Sequence, residues 1–189
     1  ESSRINLPEK FIYPKWTELE FFQCSNCCVT DEKFCPLAKA ISYIVYPFLD
    51  ILSYEEVRVK VIMSQRTILK ETTASLALSS ILGLVMACSG CPHFDYFKPM
   101  AFFHLPFSTE KETIVRSISF YLLGEFIAKK KNSDYKCNFD NLKDIYKNIH
   151  LVNSFISKRL KSIAKEDATI NAVINLDIFA KNIPYVIDD

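Results

Sequence analysis

Apolar positions recur along this chain with two periods, and one stretch carries no charge at all. From Thr72 to Phe94 the sequence TTASLALSSILGLVMACSGCPHF contains no charged residue. Read as a helix from about Ala74 to Ala87, it sets Leu76, Leu78, Ile81, Leu82, Leu84, Val85 and Met86 nearly all round the cylinder. That pattern predicts a central core helix buried on most sides. Ser75, Ser79, Gly83 and Ala87 recur every four residues and predict a small-residue stripe where one neighbour packs tightly. Gly90 and Pro92 then stop the helix and deliver Cys88 and Cys91 at its end. An uncharged segment of this length is also long enough to span a bilayer. Its serines, its early Gly-Cys-Pro break and the lack of a flanking basic cluster favour a core helix over a transmembrane one.

The remaining helical signals are amphipathic. Pro36 opens a helix with Leu37, Ile41, Ile44, Val45 and Phe48 at helical spacing, and Pro47 ends or kinks it. Thr109 and Glu112 form a capping box ahead of Ile114, Ile118, Tyr121, Leu122 and Phe126, with Lys129 to Lys131 closing the last turn. A further helix from about Asp140 to Ala164 keeps Leu142, Ile145, Ile149, Val152, Ile156, Leu160 and Ile163 in step. A last one begins near Asp167 and runs through Ile170, Val173, Ile174 and Phe179 to stop before Pro184. Between these, Val57, Val59, Val61 and Met63 alternate with polar residues, and Thr67 to Thr73 is rich in β-branched residues, which predicts a hairpin turning at Ser64 to Arg66. Pro99 and Pro106 make residues 94 to 107 an aromatic loop packed on the core. The expectation is an α+β fold: a helix-dominated single domain over residues 1–189, with about five helices and a small antiparallel hairpin or sheet. Residues 1–23 read as an extended arm with a possible strand from Glu18 to Phe22.

Composition narrows this picture. The chain is 49% hydrophobic and 24% charged, which excludes a disordered chain, and its length suits one core. Net charge is +1, but Lys129 to Lys165 holds ten Lys/Arg against three Asp, about +7. We read this as a solvated helix face, since no aromatic-interleaved basic groove supports nucleic-acid binding. With 3 Gly, a Rossmann or P-loop site is improbable.

Cysteine carries the candidate chemistry. Six of the 7 cysteines gather in local groups, a spacing that suits metal better than disulfides and favours a reducing, cytoplasmic location. A tetrahedral zinc site needs four ligands, and we select Cys24, Cys27, Cys35 and Cys91, because Cys35 and Cys91 each precede proline at a helix boundary. Cys88 is the reserve ligand, and His93 or His104 is able to replace a thiolate. Cys28 and Cys137 are bystanders. An iron–sulfur cluster on the same ligands is the alternative metal. A nucleophilic Cys35 at a helix N-terminus is the alternative chemistry. Arg116 and Glu112 read as an ordinary ion pair on a helix surface. The function expected is a zinc-stabilised interaction or regulatory module with a protein partner, contacting it through Phe94 to Phe107; a metal-, iron–sulfur- or thiol-dependent enzyme is the competing class.

The segments PKWTELEFFQCSNC, FCPLAKA, LSSILGLVMACSGCP, KPMAFFHLPFSTEKETIVR and SFYLLGEF together resemble an uncharacterised bacterial family of unknown function. Its pattern is similar to PxWTxLxFxQCxNCP, HCPxA, SGCP and PMARFHLPF. The resemblance marks Cys24, Cys27, Cys35, Cys91 and His104 as motif positions and implies an upstream β portion that the arm would complete. Two positions depart from it: Cys28 stands where the pattern has proline, and Phe102 where it has arginine.

Overall fold

The computed structural model of the chain describes residues 11–136 and 138–188. The first ten residues of the arm, Cys137 and Asp189 lie outside that set. The fold is α+β and helix-dominated, with six α-helices and one two-stranded antiparallel sheet among the described residues. Pro36 supplies the preset φ of a first helical turn for α1 (Pro36–Val45), and Pro47 ends it in a 3-10 turn at Tyr46–Phe48. β1 (Glu56–Ile62) pairs with β2 (Thr67–Thr73) in a register running from Glu56 opposite Thr73 to Ile62 opposite Thr67. The chain passes straight from β2 into α2 (Ala74–Ala87), with Thr73 extended at the boundary.

Helix α2 packs between α1 and the antiparallel pair α5 (Asp140–Lys161) and α6 (Ala168–Asp188). Leu78, Leu82 and Met86 meet Leu37, Ile41 and Val45 of α1, Leu142, Ile149, Val152, Ile156 and Leu160 of α5, and Val173 and Ile183 of α6 in one buried cluster. Each such side chain, fully buried, contributes about 1.5–3 kcal/mol relative to leaving it in water. The small-residue stripe faces α6 as expected. Ser79 Oγ donates to Ala172 O at 2.9 Å, and a methyl added at Gly83 would lie 3.5 Å from Leu176 Cδ2. Asp167, just before α6, accepts from Ser53 N (2.7 Å) and Ser53 Oγ (3.0 Å), tying the hairpin's approach to the last helix.

Four expectations need correction. The aromatic segment is a loop only over residues 103–107, around Pro106: before that it forms a 3-10 helix at Pro92–Phe97 and α3 (Lys98–Phe102), because Pro92 and Pro99 fall in first turns, where no N–H is needed. α4 (Glu110–Lys131) has the capping box, but its inner face is Ser117, Tyr121 and Glu125, while Leu122 and Phe126 are exposed. The inner face is set by polar pairing. Tyr146 Oη donates to Ser117 Oγ at 2.6 Å, and Tyr135 Oη donates to Glu125 at 2.8 Å. α6 runs through Pro184, which removes only one bond near the helix end. The strand expected at Glu18 to Phe22 reduces to a single bridge, Glu18 to Phe34.

Two bulky residues sit in left-handed backbone: Phe22 at φ +48°, before the cysteine loop, and Phe107 at φ +59°, its N–H bound to Ser80 Oγ at 3.0 Å. No single helix among the described residues is long and apolar enough to cross a membrane. Only by joining α2 to Pro92–Phe102 across a bend of 109° does such a window arise.

Candidate metal centre

The loop that bears the first cysteines is closed at its base by backbone pairing. Leu19 N donates to Lys33 O (3.0 Å) and Cys35 N to Thr17 O (2.8 Å), so the arm and the start of α1 clasp residues 20–34 between them. Cys24 and Cys27 are joined by a turn in which Cys27 N donates to Cys24 O at 3.0 Å. The loop is then docked on the body. Asn26 Nδ2 reaches Asn148 O (3.3 Å) and Oδ1 (3.0 Å) on α5, and the His93 ring donates through Nε2 to Asn26 O at 2.7 Å.

Behind the loop lies Arg159 of α5, only 1% exposed. Its Nη1 donates to Trp16 O and Glu18 O, each at 2.7 Å, and its Nη2 to Leu19 O at 3.0 Å. Its Nε has no hydrogen-bond partner among the described residues, and no carboxylate there forms an ion pair with it. The ionisable groups close enough to act on this cation are Cys35, Cys24 and Cys27, while burial lowers its pKa. The Phe21 ring lies 6.0 Å from the guanidinium carbon, but a buried cation held by neutral carbonyls and a ring face is left without a counter-charge.

The four selected cysteines come to one patch. Cys35 and Cys91 are buried, and Cys24 and Cys27 are half-buried. Burial first, then the neighbouring Cys35, Cys27 and Cys91, raises the Cys24 thiol from 9.0 to about 12. Burial likewise raises Cys91 to about 11, opposed by the His93 backbone N–H that bonds its sulfur. A backbone N–H on sulfur is the outer contact a metal thiolate receives. All six described cysteines are free thiols, and among the described residues no three His, Cys, Asp or Glu side chains converge tightly enough to hold an ion. The thiols are neighbours without being a closed coordination sphere.

The other candidates separate. Cys88 is influenced by Lys98 and not by the cysteine patch. Cys28 is exposed but close enough to act on Cys91, so it borders the patch. His93 uses its Nε2 to anchor the loop. His104 belongs elsewhere: it lines a cavity of about 460 Å³ together with Arg116, and burial with that guanidinium lowers its pKa below 6.5. Arg116 is no surface ion pair. Its Nη2 donates to Met100 O (3.0 Å) and Phe103 O (2.8 Å), pinning the end of α3 to α4, while Glu112 is engaged in the cap.

The family model described as "Domain of unknown function (DUF6901)" matches residues 1–189. The chain belongs to this family. No curated protein and no solved structure matches it. For this DUF6901 chain, the residues of the candidate site that sequence reading missed are Arg159 and Asn26. Arg159 was submerged in the basic run read as a solvated face. Its signal was its place in the apolar register, three residues after Ile156 and next to Leu160.

Proposed function

We propose that this chain is a zinc-stabilised interaction or regulatory module whose metal is held by Cys24, Cys27, Cys35 and Cys91. The observation that carries the reading is Arg159, a buried cation with no carboxylate among the described residues, set against a patch of cysteines from three separate parts of the chain. Four thiolates on one Zn²⁺ carry a net charge of about −2, which Arg159 offsets in part from behind the loop. As neutral thiols these side chains pack with the apolar core without closing on one point. Binding of a metal ion would draw the loop, the start of α1 and the exit of α2 together.

Burial raises the Cys24 and Cys91 thiols, so neither suits the nucleophile of a thiol-dependent enzyme, which needs a depressed pKa. Free thiols also suit a reducing, cytoplasmic setting. For the partner surface, Phe102 and Phe103 are 70% and 63% exposed in the aromatic segment, with Phe103 stacked on Phe120 of α4 at 5.9 Å. Elemental analysis of protein purified under reducing conditions tests the centre. About one zinc per chain in a colourless solution is expected; iron with labile sulfide moves the same ligands to a cluster. Metal-free protein with undiminished thermal stability overturns the proposal.

A further inference from the structure

The cavity of about 460 Å³ lies apart from the cysteine patch, enclosed by α2, the aromatic segment, the start of α4 and the inner faces of α5 and α6. It explains why α2 carries no charge. Leu78, Leu82 and Met86 bury one side of that helix, but Leu76 is 50% exposed, and Leu76, Ser80, Gly83 and Leu84 form a cavity wall. An apolar flank left open to a cavity of this size matches a site for a small ligand, for which 300–1,000 Å³ is the usual range. Leu76 and the 46%-exposed Ile178 stand on the exposed part of the lining, together with the exposed Lys70 and Glu110.

One polar group at the inner wall is unsatisfied. Asn153 of α5 lines the cavity, is 1% exposed, and its Oδ1 accepts no hydrogen bond among the described residues. Its amide orientation is fixed, because Nδ2 donates to Asp177 Oδ1 at 3.3 Å, and turning it over would set oxygen against carboxylate. The occupant must therefore bring a donor. Leaving such an acceptor buried and unpaired is costly, so a ligand that pairs it is selected over one that does not. A carboxylate has no proton to give and would face Oδ1 with like charge. The cations of the lining, Arg116 of α4 and Lys70 of β2, stand on other elements than Asn153, and Arg116 Nη2 is committed to Met100 O and Phe103 O. Asp177, which holds Asn153 Nδ2, already receives His150 at 2.9 Å and Lys181 at 3.1 Å, and Glu110, the acid of the lining, accepts from Asn182 Nδ2 at 2.6 Å, so neither is left to draw a cationic amine.

We propose that this cavity binds a neutral amphiphile with a long apolar body, a primary alcohol in chemical class, whose hydroxyl donates to Asn153 Oδ1 while its chain lies along the uncharged flank of α2. The site does not depend on the metal centre. Calorimetric titration of the full chain with 1-decanol, decyl methyl ether and decanoate tests it, since the three share a chain and differ in the head group. Decanol is expected to bind at least about tenfold tighter than the other two, a difference of about 1.4 kcal/mol. Asn153→Leu should erase that preference while ether binding persists, and Leu84→Trp, at the cavity wall, should abolish binding of all three. Should Asn153→Leu fail to fold, the ligand series on the unmodified chain decides. Equal affinity for alcohol and ether, tightest binding of decanoate, or no binding of any would each overturn the proposal.

Discussion

Arg159 and Cys35 divide four consecutive carbonyls between them: Arg159 takes those of Trp16, Glu18 and Leu19, and the Cys35 N–H takes Thr17. A helix from the second half of the chain and the start of the first helix thus hold the same few residues from two directions. The segment has little freedom left, and the loop it leads into inherits that rigidity. Arg159→Met should therefore cost about 3–5 kcal/mol, since it strips three carbonyls of their donors at once. Urea unfolding measures the loss. A cost under about 1 kcal/mol would show that the carbonyls find other partners.

The pH response distinguishes the metal-free from the metal-loaded chain. Without metal, Cys24 and Cys91 hold their protons more tightly folded than unfolded, so their contribution is complete below pH 9 and is lost as pH rises towards about 12 and about 11. With metal bound, the thiolates compete with protons, and stability falls on the acid side instead. Thermal midpoints measured from pH 5 to pH 11, with and without a chelator, should slope in opposite directions.

Alkylation order follows exposure and charge. Cys28 is exposed and should react first, in either state. Cys24, half-buried, and Cys91, buried, are both protonated at pH 8 and should react slowly even in metal-free protein, and mass spectrometry of partially labelled peptides reads the order. Fast labelling of Cys91 in the metal-loaded protein would instead support a reactive thiol.

Gly83→Ala should stabilise the chain. The added methyl meets Leu176 Cδ2 at 3.5 Å, an ordinary contact, and replacing glycine within a helix gains about 0.5–1 kcal/mol. Gly83→Leu should destabilise it, because the α2–α6 contact has no room for more. Chemical denaturation of both variants measures the difference in sign.

The elements with a strong apolar register were legible. The core positions Leu142, Ile149, Val152, Ile156 and Leu160 of α5 are buried as their spacing predicts, and the hairpin lies where its alternation predicts. What sequence reading lost was the direction a helix faces when polar groups decide it. Leu122 and Phe126 look like core residues of α4, yet Ser117 and Glu125 turn inwards because Tyr146 and Tyr135 need acceptors. The same limit hid Arg159, whose partners are carbonyls more than a hundred residues away in the chain. α2 shows a different failure, since an apolar pattern does not say whether protein or a cavity lies against each side.

The left-handed turns at Phe22 and Phe107 leave a mark on how this protein can be improved. With 3 glycines in the chain, neither corner uses one, although each phenylalanine there strains the backbone by roughly 1–2 kcal/mol. Phe107 lines the cavity, and Phe22 packs edge-on against Phe21 at 5.0 Å, two residues ahead of Cys24. Glycine at Phe22, which is 48% exposed, would relieve that strain at little loss of packing, whereas glycine at Phe107 would also strip a half-buried ring from the cavity wall, so laboratory selection for heat tolerance alone would change the first corner and keep the second.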